Sequence, residues 1–216
     1  GLSMELSVLM PVYNEIGTIE TIIFRVMEQA YDKELIIVDD GSTDGTREFL
    51  QSISDDRITV LLNEKNQGKG AALKKAAGQA RGTFCIVQDA DLEYDPQDYG
   101  SMLDLLLADK ADVVYGSRFL SRTRIFHFHH LLGNKIINLI VNIFFNTTFT
   151  DVETGYKAFK TSVLRDMRFR SKSFGFEIEF TAHVIYKKKR IYEVPISYFG
   201  RTYEEGKKIT WRDGLK

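Results

Sequence analysis

The 216-residue chain holds one cysteine, one tryptophan and three prolines. A lone thiol, Cys85, excludes an internal disulfide framework. It sits inside an apolar run, which marks a buried structural thiol rather than a reactive one. A reducing, cytosolic compartment is therefore the expected setting. No apolar run reaches 18 residues, so nothing in this sequence is expected to span a bilayer, and no stretch has the pattern of a secretory leader. The Walker A loop and the G-x-G-x-x-G fingerprint are both absent, which excludes the two commonest glycine-rich phosphate cradles. No internal repeat or low-complexity segment is visible.

Acid is missing from one long stretch. Between Val113 and Thr150 there is no Asp or Glu, while Arg118, Arg122, Arg124, Lys135 and three histidines lie within it. From Arg165 to Lys216, 13 Lys and Arg meet 7 acids. The formal net charge of −1 thus conceals an acidic first half and a basic second half. A basic half usually meets something anionic. Nucleic acid is disfavoured, because the cations follow no recognition motif and the chain as a whole is not basic.

With 44% hydrophobic residues, the length suits one α/β domain over residues 4–216. A nucleotide-binding half is expected at about 4–118 and an acceptor or membrane-facing half at about 119–216. Gly1-Leu2-Ser3, ahead of Met4, reads as a cloning remnant. Trp211–Lys216 reads as the start of another element, so a further C-terminal segment is expected.

Apolar runs at Leu6–Met10, Glu34–Asp39, Ile58–Leu62, Thr83–Val87 and Asp112–Tyr115 predict strands. Helical patterns at Thr18–Gln29, Thr46–Ile53, Lys69–Ala80 and Pro96–Ala108 separate them. That alternation predicts a mainly parallel sheet with helices on both faces. Beyond Arg118, Leu131–Asn146 and Phe176–Lys187 read as helices, Asp151–Lys160 as extended, and Arg190–Phe199 as an edge strand containing Pro195.

Strand four ends in Asp89-Ala90-Asp91. In extended backbone two carboxylates at this spacing share a face. Hard oxygen donors suit Mg²⁺ or Mn²⁺, which typically bind substrate phosphates as well. A solvated turn is the competing reading of these residues alone. The other strand ends carry Pro11-Val12-Tyr13-Asn14-Glu15, Asp39 to Gly45, Asn66-Gln67-Gly68-Lys69-Gly70 and Gly116-Ser117-Arg118. Glu15 or Asp40 can accept from base or ribose groups, and Tyr13 can stack. Lys69 adds charge where a helix start already favours anions. Asp44 as a helix cap and Lys65 or Lys69 as solvated lysines are the plain alternatives.

These motifs, in this order, resemble the family 2 glycosyltransferases of the GT-A fold. The later D-V-E-T-G-Y-K-A-F-K and the tail from Arg201 to Gly214 narrow the resemblance to polyprenyl-phosphate sugar transferases. The resemblance implies a UDP- or GDP-sugar donor, a divalent metal and a dolichyl or undecaprenyl phosphate acceptor at the cytoplasmic face of a membrane. It implies that Pro11, Tyr13, Glu15, Asp40, Lys69 and Ala90 hold the donor. Asp89 and Asp91 would hold the metal and diphosphate, with Glu93 a third candidate. The acceptor can be argued physically. A phosphate monoester is already anionic near pH 7 and needs cations to hold it, not a base. Arg118 is the first candidate, followed by Lys157, Arg201, Lys207 and Lys208. A hydroxyl acceptor would instead need a base, with Asp151 and Glu177 as candidates; either could equally cap or position a neighbouring basic residue. A non-catalytic nucleotide-sugar-binding membrane adaptor is the reading from another class.

Within Leu131–Asn146, Asn134, Asn138, Asn142 and Asn146 recur every four residues and form a polar stripe on an apolar helix. That predicts a helix lying in a membrane interface, with a buried core helix as the alternative. His127, His129 and His130 are expected to be loop or interface residues rather than metal ligands.

Overall fold

Each apolar run becomes a strand of one sheet. The structure is a computed structural model, and it describes residues 5–120, 127–168 and 175–199. Strands β1 (Leu6–Val12), β2 (Lys33–Asp39), β3 (Ile58–Leu62) and β4 (Phe84–Val87) pair in parallel, with β1 central between β2 and β4. Helices α1 (Ile19–Met27), α2 (Thr46–Gln51) and α3 (Lys69–Gln79) connect them. A 3₁₀ turn, Pro96–Asp98, leads into α4 (Tyr99–Leu107) and then β5 (Val113–Ser117). The second half adds α5 (Phe128–Phe145), β6 (Lys157–Lys160), α6 (Thr161–Arg165), α7 (Phe176–Tyr186) and β7 (Ile191–Pro195). The sheet order is β3-β2-β1-β4-β6-β5-β7.

Strand alternation sorts the core into two layers. Leu6, Val8, Met10 and Val12 of β1 pack with Ile22 and Val26 of α1 and with Met102 and Leu106 of α4. Leu9, Val38 and Val87 face the other way, onto Ala72, Leu73 and Ala76 of α3 and onto Phe180 of α7. Helices therefore cover both faces, as expected of a parallel sheet buried on both sides.

Two expectations need correction. The extended segment Asp151–Lys160 forms a strand only over Lys157–Lys160, and that strand runs antiparallel to both β4 and β5. Because β6 is reversed, its first residue pairs with Tyr115 near the carboxyl end of β5. The preceding loop is thereby delivered to the carboxyl ends of the parallel strands, where an open α/β sheet binds ligands. The terminal strand is also shorter than Arg190–Phe199, although β7 does lie at the edge, beside β5.

The second correction concerns α5, which starts three residues earlier than expected. Two of its asparagines, Asn138 and Asn142, point inward, whereas Asn146 ends the helix exposed. Asn138 donates to the Thr150 carbonyl at 2.8 Å and accepts from the Val152 N–H at 2.7 Å. Asn142 donates to the Phe149 carbonyl and accepts from the Phe149 N–H, each at 2.8 Å. The stripe thus clamps the loop ahead of β6. The opposite face is apolar and open, with Phe144 80% and Ile143 70% exposed. Among the described residues no helix is long and apolar enough to cross a membrane.

Lys157 is an unusual core residue, 1% exposed, with its ammonium on the Thr154 carbonyl and 5.0 Å above the Tyr115 ring. Burial pushes it down to about 8 from 10.5. The unfolded chain therefore binds more protons than the folded one between these values, so stability rises with pH across that window. Lys157→Met should flatten that rise relative to the wild-type protein, read by urea denaturation from pH 7.5 to 10.5. Parallel profiles would show that Lys157 folds with its ordinary pKa. Asn138→Leu strands two backbone groups and should cost about 2–4 kcal/mol. An unchanged urea midpoint would mean that the loop does not depend on this clamp.

Candidate active site

The site is assembled from strand ends. At the end of β1, Asn14 has a positive φ of 52°, held by cross-loop bonds. Its N–H donates to Ser42 Oγ at 2.9 Å, and its side-chain oxygen accepts from the Thr43 N–H at 2.8 Å. The Glu15 N–H donates to Thr46 Oγ1 at 3.0 Å. The first two loops are thus stitched together, with half-buried Pro11 and 41%-exposed Tyr13 along their rim.

Asp40, proposed for the nucleoside, is 4% exposed and accepts from Asn63 Nδ2, the Gln67 N–H and the Gly68 N–H at 2.8–3.0 Å. Its contacts shape the loop that presents Lys69. Gly41 makes this fit possible: it has φ +83°, and a Cβ there would lie 2.9 Å from Asn66 N.

The Asp89–Asp91 segment is a bend, not the extended backbone expected. Buried Gln88 organises it. Its amide donates to the Asp89 and Tyr94 carbonyls, while its oxygen lies 2.9 Å from Tyr99 Oη and 3.1 Å from Tyr156 Oη. The Ala90 carbonyl accepts from Thr18 Oγ1 at 2.6 Å, which ties the motif to the start of α1. Asp91 accepts from the Glu93 N–H at 3.1 Å, across Leu92 with its φ of 66°. Glu93 accepts from Tyr198 Oη at 2.8 Å, so the chain after β7 packs onto the motif.

Asp89 meets a cation of the protein itself. Lys69 Nζ lies 3.0 and 3.2 Å from the two Asp89 oxygens and 3.4 Å from Glu177. Burial alone would lower Lys69, but Asp89 and Glu177 outweigh it and hold the ammonium charged well above the ordinary lysine range. Gly155 closes the other side: a Cβ there would lie 2.7 Å from Asp89 Oδ2. The Gly155 N–H donates to Tyr94 Oη at 2.9 Å, and burial pushes that phenol up to about 12.

Arg118 is anchored on Asp151. Its Nε and Nη2 each lie 2.8 Å from an Asp151 oxygen, and its N–H donates to the same carboxylate at 3.0 Å. The guanidinium also packs 5.2 Å from the Tyr198 ring centroid. Asp151 is fully buried, and its own N–H donates to Glu193 at 3.1 Å. Both Asp151 oxygens are engaged by Arg118, an arrangement that suits a partner of the guanidinium better than a general base. Glu177, the other base candidate, is ion-paired to Lys69. Lys157 lies beneath this surface rather than on it. Arg201, Lys207 and Lys208, like Arg122 and Arg124, fall outside the described residues.

Among the described residues no cluster of three or more His, Cys, Asp or Glu could form a closed metal centre. The expected loop placement does not hold for His129: it lies in the first turn of α5, which His127 caps, and both are exposed. Asp89, which contacts Lys69, and Asp91 two residues on offer hard oxygen donors that fit a Mg²⁺ or Mn²⁺ completing its shell with water and phosphate oxygens. Sequence reasoning missed Gln88, Tyr94, Gly155 and Glu193 as organisers. Gly155 lay inside a quoted motif and Gln88 directly before Asp89, where a polar Gln closing an apolar run was a usable signal. Glu193 carried none.

Residues 7–168 match the family model described as Glycosyl transferase family 2. The glycosyltransferase AglJ of Haloferax volcanii is 30% identical over 200 residues, covering 90% of this chain and 63% of its own length. The undecaprenyl-phosphate mannosyltransferase of Micrococcus luteus is 28% identical, covering 94% and 87%. The polyprenol monophosphomannose synthase of Mycolicibacterium smegmatis is 29% identical, covering 90% and 77%. The chain therefore spans less than two thirds of the first relative and more of the other two. Among solved structures, the glucosyl-3-phosphoglycerate synthase of Mycobacterium tuberculosis in complex with Mn²⁺, UDP and phosphoglyceric acid superposes with a TM-score of 0.72 at 20% identity, covering 94% of this chain and 73% of that one. At that identity the likeness speaks for the fold, which is the GT-A fold. Most of the chain lies within the matched region, and it belongs to glycosyltransferase family 2.

Proposed function

We propose that this glycosyltransferase moves a sugar from a nucleotide-diphosphate sugar to a polyprenyl phosphate, with inversion, using Mg²⁺ or Mn²⁺ at a membrane face. The observation that carries the reading is the Arg118–Asp151 pair. Both carboxylates considered as bases are ion-paired, Asp151 to Arg118 and Glu177 to Lys69. The Arg118 N–H groups not directed at Asp151 remain for an anionic acceptor. A phosphate nucleophile brings its own charge and needs no base. Two relatives named for undecaprenyl phosphate and for polyprenol monophosphomannose support this acceptor class.

Tyr13, Glu15 and Pro11 line the base and ribose side. Asp89 and Asp91 would hold the metal, which when bound neutralises the leaving diphosphate. Arg118 holds the acceptor phosphate, and Asp151 fixes the fork of its guanidinium. Direct attack with no enzyme nucleophile gives inversion. The open apolar face of α5 supports membrane contact, because exposed Phe144, Ile143 and Leu139 would otherwise face water.

Incubation with UDP- and GDP-sugars, Mn²⁺ or Mg²⁺ and a short polyprenyl phosphate should yield a glycosyl phospholipid. Asp89→Asn should lower its rate by on the order of a hundredfold or more. Arg118→Lys should raise KM for the lipid while leaving nucleotide binding intact. Transfer to oligosaccharide hydroxyls but not to lipid phosphate would overturn the acceptor, and nucleotide binding without any transfer would point to the adaptor. In flotation with anionic vesicles, an Ile143→Asp and Phe144→Asp double variant should lose roughly tenfold or more of membrane partitioning. Unchanged flotation would remove α5 from the membrane contact.

A further inference from the structure

The Asp89 carboxylate already has a cation of the protein's own. Lys69 Nζ touches both Asp89 oxygens, at 3.0 and 3.2 Å, so the ammonium engages both at once. Asp89 cannot back away. Gly155 sits so close to Oδ2 that a Cβ there would be at 2.7 Å, and the carbonyl of Asp89 is held by Gln88 Nε2 at 3.2 Å. Lys69 is the mobile partner. It is the first residue of α3, its side chain is 27% exposed, and its flexible stem ends on a second carboxylate, Glu177, at 3.4 Å. The ammonium can leave Asp89 and keep Glu177.

The geometry points to Lys69 as a resident counter-cation of Asp89 that yields its place to the divalent metal when the donor's diphosphate arrives. This rests on the reading of Asp89 as a metal ligand. A metal that reaches Asp89 alone must displace an ammonium or sit beside it, and like charges repel over a few ångströms. A nucleoside diphosphate removes that obstacle, because it offers the ammonium a new partner at the start of α3. Metal and nucleotide then favour each other's binding beyond their direct contact, and the linkage is reciprocal. Glu177 gains a defined task as the parking carboxylate of Lys69, which accounts for its position on α7 facing the site.

Mn²⁺ binding, followed by loss of the free-ion electron paramagnetic resonance signal, tests this without any turnover. The wild-type protein should bind Mn²⁺ weakly alone and more tightly with UDP or GDP. Lys69→Gln should tighten nucleotide-free Mn²⁺ binding by about 5- to 150-fold, the usual range of coupling between sites, and should shrink the enhancement that the nucleotide provides. Lys69→Arg keeps a cation in place and should bind free Mn²⁺ as weakly as wild type. Nucleotide-free affinity that is equal in Lys69→Gln and wild type, while UDP or GDP still tightens wild-type binding, would overturn the handover and leave the metal site standing. No Mn²⁺ binding by any variant with either nucleotide would overturn the metal site, and the handover with it.

Discussion

The loop between α5 and β6 is the piece on which the site depends, and one buried carboxylate holds it. Asp151 is fully buried, and a charge in that position persists only when paired and hydrogen-bonded. Arg118 supplies both, in a forked arrangement that a lysine could not reproduce. The neighbours of Asp151 are secured in turn: Thr150 by Glu193 and Asn138, Thr154 by the Gly116 carbonyl, Gly155 by Tyr94. The loop thus touches β5, β7, α5 and the segment after β4 at once. It sets where Arg118 points and how closely backbone approaches Asp89. Asp89 and Arg118 are coupled through the five residues from Asp151 to Gly155.

The reversed strand makes this coupling possible. In a wholly parallel sheet, the segment before a strand arrives at the end opposite the ligand site. Because β6 runs against β4 and β5, its leading loop arrives at the site instead. The asparagine face of α5 then has a task. It satisfies loop carbonyls and N–H groups that would otherwise be buried without partners. Pointing asparagines inward leaves the apolar face outward, so the same choice that orders the loop also exposes Phe144 and Ile143.

Strand ends were legible because each apolar run stops at chemically distinctive residues: Tyr13 and Glu15, Asp40, Asp89 and Asp91, Arg118. The direction of β6 was not legible. A strand of four residues carries little pattern, and nothing local distinguishes a parallel neighbour from an antiparallel one. The four-residue spacing of Asn138 and Asn142 identified a face of α5 correctly, but periodicity does not say which way a face looks. Polar residues normally turn to water, and here loop backbone outcompetes water for them. Pairing was legible only as an alternative: Asp151 and Glu177 read either as bases or as partners of a basic residue, and sequence could not say which one, because Arg118 and Lys69 lie 33 and 108 positions away. Asp40 read as a ligand contact, yet its nearest donors belong to a loop more than 20 residues downstream.

Charge balance explains why such a site favours a divalent cation. Lys69, Arg118 and Lys157 interact within one group with Asp89, Asp151, Glu153 and Glu177. The Lys157 charge is itself held down by burial, and Glu153 is shifted upward by burial in the same crowd. Among the described residues of this group, cations do not exceed carboxylates. A donor diphosphate and a phosphate monoester each add negative charge, the latter about −1.5 to −2 near pH 7. Side chains of this set cannot offset that load, because most of their positive charge is already committed to Asp89, Asp151 and Glu177. On the proposed reading, Asp89 and Asp91 would hold a divalent ion that offsets the charge of the leaving diphosphate. Lys69, released from Asp89, would then be available to the phosphates.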